Sequence, residues 1–158
     1  MRRADRKVTN PQELIEIIEK CDVCRLAFSD NNTPYIVPMN YGYDHTNGKL
    51  TLYFHGASEG RKHEIINKNP TACFEMDCSH KLIEGDEAHN YTMEYESIIG
   101  SGTIHYCTTK AEKTHAIKQL MKKYAKEKKF QLPDHILDSV TTFKLEVSEY
   151  TGKRLKKS

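Results

Sequence analysis

The 158-residue chain lacks any apolar run near the roughly 18–20 residues that a membrane helix needs, so a spanning helix is excluded. It also lacks an excess of one charge: 24 basic and 22 acidic residues leave a formal net charge of +2. That balance argues against a dedicated nucleic-acid binder, whose footprint is usually strongly basic. No apolar stretch follows the charged opening MRRADRKVTNPQ, so no secretory signal is expected. Cysteine is sparse and odd in number, 5 in all, which points to reduced thiols and a cytoplasmic protein. Tryptophan is absent altogether. With 8 Gly, 5 Pro, no repeat and no linker, one domain over 1–158 is expected.

What is present reads mainly as strand. Asn10, Pro11 and Glu13 make a helix start of the capping-box kind, and an apolar face of Leu14, Ile15, Ile17 and Ile18 follows. From Asp22 the period becomes two: Cys24, Leu26 and Phe28 alternate with Val23, Arg25 and Ala27. After the turn cluster from Asp30 to Pro34, Tyr35–Tyr43 resumes an extended run. Asn47-Gly48 then predicts a hairpin into the alternation Leu50, Leu52, Phe54. A short helix over 61–69 stops at Pro70, and a strand over 71–78 precedes a polar loop, 79–91. Residues 93–107 form a long extended stretch whose Gly100 and Gly102 suggest a bend or a close backbone approach. Thr109 and Glu112 predict a second capping box, and Phe143, Leu145 and Val147 a last strand before a tail, 152–158, expected to fray. About six strands with hairpin-length links favour a closed or nearly closed antiparallel barrel, because closure removes exposed edges.

Chemistry concentrates between Tyr53 and Lys62, where a strand ends, a glycine-containing loop follows and a helix opens with two cations. A helix N-terminus favours anions, whereas cations there oppose the helix dipole, so an anionic ligand would account for Arg61 and Lys62. A solvated basic turn accounts for them equally well. Pro38 inside the segment Tyr35–Tyr41 cannot donate to a ladder, which marks an edge, a bulge or a ligand-facing backbone. Cys21 and Cys24 have a metal or dithiol spacing that Cys73, Cys78 and His80 could complete. Against that, Cys24 shares a strand face with Leu26 and Phe28, as a buried reduced thiol does, so no metal is expected.

Six segments occur in one order: Met1-Arg-Arg-Ala-Asp-Arg6, Asp22-Val-Cys-Arg-Leu-Ala-Phe28, Tyr35-Ile-Val-Pro-Met-Asn-Tyr41, Leu52-Tyr-Phe-His-Gly-Ala57, Gly60-Arg-Lys62 and Tyr95-Glu-Ser-Ile-Ile-Gly-Ser-Gly102. Together they resemble the nitroimidazole-resistance reductase family, within the pyridoxamine-phosphate-oxidase-like split-barrel flavoproteins, nearly from end to end. The resemblance implies a mainly β fold, a six-stranded antiparallel Greek-key split barrel with flanking helices. It also implies a homodimer with a flavin, usually FMN with FAD as the alternative, in each interface cleft. Val37, Pro38, Met39, Asn40 and Tyr41 match the strand whose backbone lines the flavin ring. His55 and Gly56 match the strand end beside ring and phosphate, and Arg61 and Lys62 the phosphate clamp. Ser97, Ile98 and Ile99 match the strand that reaches the flavin from the partner subunit. Pyridoxamine-phosphate oxidases proper carry a C-terminal Trp and an Arg-rich motif that hold the vitamin. This chain has neither, so vitamin B6 oxidation is not expected.

Two functions are compatible with these residues. One is a flavin-dependent oxidoreductase passing electrons from a reduced nicotinamide or another donor to a small aromatic or nitroaromatic acceptor, with His55 as its catalytic residue. The other is a non-catalytic flavin- or haem-binding module on the same barrel: a sensor, carrier or stress protein.

Overall fold

Two-residue turns set the hairpins. Asn31 and Asn32 both have positive φ, 50° and 66°, as do Asn47 and Gly48, 53° and 77°. Such turns carry the twist that flanking antiparallel strands need. They join β2 (Cys24–Asp30) to β3 (Thr33–Met39) and β4 (Gly42–Thr46) to β5 (Lys49–Gly56). The computed structural model describes residues 3–125, 128 and 130–157, so Met1 and Arg2 of the first motif and Ser158 lie outside the described residues. The remaining elements are β1 (Lys7–Val8), α1 (Pro11–Lys20), α2 (Arg61–Lys68), β6 (Thr71–Ile83), β7 (Thr92–Tyr106), α3 (Lys110–Tyr124), α4 (Asp134–Ser139) and β8 (Thr141–Leu155).

All pairings are antiparallel, in the order β3-β2-β6-β7-β8-β5-β4, with β1 added to β8. This is the mainly β, split-barrel class that the sequence leads one to expect, with eight strands among the described residues rather than six. The difference has two sources. The run Tyr35–Tyr43 breaks after Met39, because Asn40 and Tyr41 carry the chain from one sheet edge, β3, to the other, β4. Lys7 and Val8 add a short pairing to Lys153 and Gly152.

Three other expectations are corrected. The polar stretch after Cys78 is not all loop: Ser79 takes a φ of 58°, the register shifts there, and Lys81, Leu82 and Ile83 resume pairing with Glu94, Met93 and Thr92. The tail does not fray at Gly152, because Lys153, Arg154 and Leu155 pair with Ser97, Glu96 and Tyr95. The capping box at Asn10 is incomplete: Asn10 accepts from the Gln12 N–H at 2.9 Å, but Arg154 takes Glu13 into an ion pair at 3.1 Å. The box at Thr109 and Glu112 forms in both directions.

The core lies between the inner sheet face and the helices. Leu26, Phe74, Met76, Ile98, Leu52, Phe54, Phe143 and Leu145 are almost wholly buried, and Ile17 and Ile18 of α1 pack onto them. Each such side chain stabilises the fold by roughly 1.5–3 kcal/mol. The end of α1 is closed by groups distant in sequence. Lys123 Nζ donates to the carbonyls of Ile18 and Glu19 at 3.0 and 2.8 Å, and the Tyr41 hydroxyl donates to that of Cys21 at 3.0 Å.

One buried carboxylate ties helix, bulge and tail together. Glu96 of β7 accepts from Lys20 Nζ at 2.9 Å, Ser79 Oγ at 2.8 Å and Arg154 Nε at 2.6 Å. Burial alone would raise its pKa, but these donors outweigh burial and hold the carboxyl at about 2, below the ordinary 4.5. Ionised Glu96 therefore contributes its full stability above about pH 4.5 and loses it as pH falls toward 2. Glu96→Gln is expected to cost about 2 kcal/mol at pH 7, less than for a fully buried pair because Lys20 reaches solvent. Urea midpoints at pH 7 and pH 3 check this: the variant should be less stable at pH 7 and less acid-sensitive than the parent.

Candidate cofactor-binding site

The candidate site is where β5 ends. A Cβ built on Gly56 would lie 3.5 Å from Lys62 Nζ and 3.9 Å from Met39 Cε. The end of edge strand β3, the end of β5 and the first turn of α2 therefore meet at Gly56. Helix α2 starts without a side-chain cap. Its N-cap, Gly60, has a φ of 125°, which a residue with a Cβ rarely adopts, and a Cβ there would meet nothing. His63 N–H bonds back to the Gly60 carbonyl at 2.9 Å, while the N–H groups of Arg61 and Lys62 have no partner inside the helix. Lys62 is half-buried, and its Nζ makes no hydrogen bond or ion pair among the described residues. Unused N–H groups, a positive helix end and an unpaired ammonium form a donor set that suits a phosphate.

Arg61 is not free in the same way. Its Nε and Nη2 both donate to Asp30 Oδ2, at 3.0 and 2.9 Å, and its guanidinium lies over the Tyr35 ring, 4.8 Å from the centroid. Its side chain as a whole remains more than half exposed.

Sequence reasoning passes over His63, which holds the loop in front of the site. His63 is buried; its Nε2 is 2.8 Å from the Ala57 carbonyl and its Nδ1 is 2.7 Å from the Tyr106 hydroxyl. The carbonyl can only accept, so Nε2 carries the proton and Nδ1 accepts from Tyr106. The ring also stacks on Tyr106 and meets Phe143 edge-on. The available signal is the helical spacing of His63 and Ile66, which puts the imidazole on the inward face of α2.

The other sequence-predicted residues separate into groups. Val37 and Met39 are half-buried and Pro38 exposed on β3, which among the described residues pairs with β2 alone, so the proline costs no second ladder. Exposed Asn40 follows, with Nδ2 3.5 Å from the Asp22 carbonyl. Tyr41 departs from the expectation that its backbone faces a ligand. Its side chain is fully buried against α1, and its N–H donates to the Tyr124 hydroxyl at 3.1 Å. The His55 side chain is exposed beside Gly56 and makes no hydrogen bond or ion pair among the described residues. Ser97, Ile98 and Ile99 lie on central strand β7, away from this corner in sheet order. Ile98 points into the core and Ile99 outward, 56% exposed. Cys21 and Cys24 are both buried free thiols, pushed upward by burial, and no cluster of three or more His, Cys, Asp or Glu suits a metal among the described residues. No helix of the described residues is long and apolar enough to cross a membrane.

Residues 10–154 match the profile of the pyridoxamine 5'-phosphate oxidase family. The chain belongs to that family. A candidate 5-nitroimidazole antibiotic resistance protein from Bacteroides thetaiotaomicron is 31% identical, with 94% of this chain and 86% of that one covered and a TM-score of 0.82. An FAD and haem binding protein from Mycobacterium smegmatis shares the fold at 13% identity, with 96% and 74% covered and a TM-score of 0.83. A flavocytochrome from Azotobacter vinelandii does so at 15% identity, with 99% and 72% covered and a TM-score of 0.80. None of the curated proteins matches the sequence.

In this pyridoxamine 5'-phosphate oxidase family member, the His63 contacts carry a pH dependence. Burial pushes the imidazole below its ordinary 6.5, and the Lys62 charge adds to that against the Ala57 carbonyl. Neutral His63 thus stabilises the fold fully above about pH 6.5, and that stability is lost as pH falls through the depressed folded value. Between pH 7.5 and pH 5 the parent should lose more stability than His63→Gln, whose side chain does not titrate. Tyr106→Phe should cost about 1 kcal/mol at pH 7.5. Chemical denaturation at the two pH values checks both outcomes, and equal losses in parent and His63→Gln would contradict the assignment.

Proposed function

We propose that this protein is an FMN-dependent oxidoreductase of the nitroaromatic-reductase kind, passing electrons from a reduced nicotinamide or similar donor to a small aromatic acceptor. The observation that carries the reading is the corner at Gly56, where unpaired Lys62 and the uncapped start of α2 meet the end of edge strand β3, with Arg61 in the first turn of α2 held by the β2–β3 hairpin. The resemblance to the candidate nitroimidazole resistance protein supports the acceptor class. Relatives described as FAD-binding support a flavin, and FAD presents phosphates that the same donors suit. The five free thiols suit a reducing cytoplasm.

A bound flavin would supply hydride acceptance and one-electron transfer. The residues of this chain bind and shield it. Lys62 and the α2 N–H groups hold the phosphate end, and Val37, Pro38, Met39 and Asn40 at the end of edge strand β3 flank the ring. The His55 side chain, exposed and with no hydrogen bond or ion pair among the described residues, would hydrogen-bond the oxygens of an acceptor and donate a proton to them.

A second copy of the chain completes the site. Ile36 and Ile99 are 59% and 56% exposed, and Leu82 and Met93, paired across β6 and β7, also face outward. These exposed apolar side chains on the outer sheet face support contact with a second copy of the chain. A homodimer through this face brings Ser97 and Ile99 of one protomer toward the flavin of its partner. Ile99→Lys should shift the protein to monomer in light scattering and weaken flavin retention. A monomeric parent that still holds flavin would contradict this.

The function itself is tested by binding and turnover. Lys62→Ala and Arg61→Ala should each weaken FMN by about tenfold or more, one charge-assisted hydrogen bond being worth roughly 1.5–3 kcal/mol. Riboflavin, which has no phosphate, should bind parent and variants alike. Anaerobic stopped-flow should then show reduction by a nicotinamide and reoxidation by a nitroaromatic. Flavin that binds but never turns over would make the protein a carrier or sensor module instead.

A further inference from the structure

Helix α2 is not the only element that shapes the phosphate end of the site. The β2–β3 hairpin contributes Asp30, whose carboxylate is mostly shielded, 18% exposed against 55% for the Arg61 side chain. Asp30 Oδ1 accepts from Asn31 Nδ2 at 3.2 Å, and Oδ2 accepts from both Nε and Nη2 of Arg61. The turn that presents it is tightly defined, since Asn31 and Asn32 both have positive φ and Asp30 pairs directly with Thr33. Asp30 thus occupies one edge of the guanidinium, and Tyr35, from the same hairpin, covers one face. What remains is the opposite fork, Nη1 with the second Nη2 proton, which has the geometry for a bidentate phosphate contact.

Resting on the reading of Arg61 as a phosphate ligand, we infer that Asp30 is a positioning residue: it holds Arg61 against Tyr35 so that the free fork faces the phosphate beside Lys62. Asp30 does not touch the phosphate. It removes the rotamer freedom that an exposed arginine would otherwise lose on binding, a cost that corresponds to about three- to tenfold in affinity for one long side chain. The competing role for a carboxylate here is as an occupant of the phosphate's place, and it makes the opposite prediction.

The test is FMN and riboflavin affinity, by quenching of flavin fluorescence, for the parent, Asp30→Ala, Asp30→Asn, Arg61→Ala and the double variant Asp30→Ala with Arg61→Ala. Asp30→Ala is expected to weaken FMN three- to tenfold and leave riboflavin unchanged. Asp30→Asn should recover part of that loss, because the amide oxygen still accepts from Arg61. In the Arg61→Ala background, Asp30→Ala should cost nothing further. Tighter FMN binding by Asp30→Ala would overturn the inference, since it would mean that Asp30 competes with the phosphate. Equal weakening of FMN and riboflavin, or the same loss with Arg61 already removed, would overturn it by showing that the residue only supports the hairpin. If Arg61→Ala weakens FMN and Asp30→Ala does not, the inference alone fails. If Arg61→Ala leaves FMN unchanged, the phosphate reading of Arg61 fails and takes the inference with it.

Discussion

The close approach of β7 and β8 at Gly100 and Gly102 is the constraint on which the rest depends. A Cβ on Gly100 would lie 2.5 Å from both the Glu149 carbonyl oxygen and the Phe74 ring, and one on Gly102 would lie 2.2 Å from the Glu146 carbonyl oxygen. Neither position admits a side chain, and the register of the pair shifts between Ser101 and Gly102. A bulge of this kind strengthens twist and bends the strand. The two longest strands sit at the middle of the sheet, so their bend is felt by every strand on either side. The edges β3 and β4 come far enough around for Asn40 and Tyr41 to bridge them, and the end of β3 arrives at the end of β5.

The helices are fastened to this curled sheet by single polar groups rather than by broad apolar faces alone. Glu96 gathers Lys20, Ser79 and Arg154, and Lys123 closes the end of α1. His63 does the same for α2, linking the loop at Ala57 to Tyr106 of β7. A short helix with polar neighbours has little intrinsic stability. Its position at the site therefore follows from Ile65 and Ile66 in the core and from the two hydrogen bonds of His63. Placing α2 places Lys62, which is how sheet curvature becomes site geometry.

What was legible in the sequence was local. Asn47-Gly48 announces a hairpin because only a few residues tolerate two successive positive φ values, and Thr109 with Glu112 announces a helix start because both partners lie within one turn. The period-two runs mark the core face of β2, β5 and β8 for the same reason. The strand end at Gly56 and the cations at the start of α2 are also adjacent in sequence, so the corner itself could be foreseen. Contacts between distant residues could not. Nothing near Arg61 in sequence points to Asp30 of the preceding hairpin, and nothing near Tyr41 announces that Lys123 and Tyr124 of α3 will close over it. The resumption of β6 after Ser79 was hidden because its two apolar residues, Leu82 and Ile83, are adjacent and flanked by polar ones, so no apolar alternation records it.

The central claim is that the phosphate end of a flavin is held at the start of α2. The most direct measurement is an amide NMR titration of the labelled protein with FMN and, separately, with riboflavin. The account predicts that FMN moves the Arg61 and Lys62 amide resonances downfield, as new hydrogen bonds to phosphate form, and that riboflavin leaves those two largely in place. Shifts that instead collect around the cavity of about 300 Å³ lined by Glu19, Tyr43, Gln119, Lys122 and Lys123, with Arg61 and Lys62 unmoved, would contradict it.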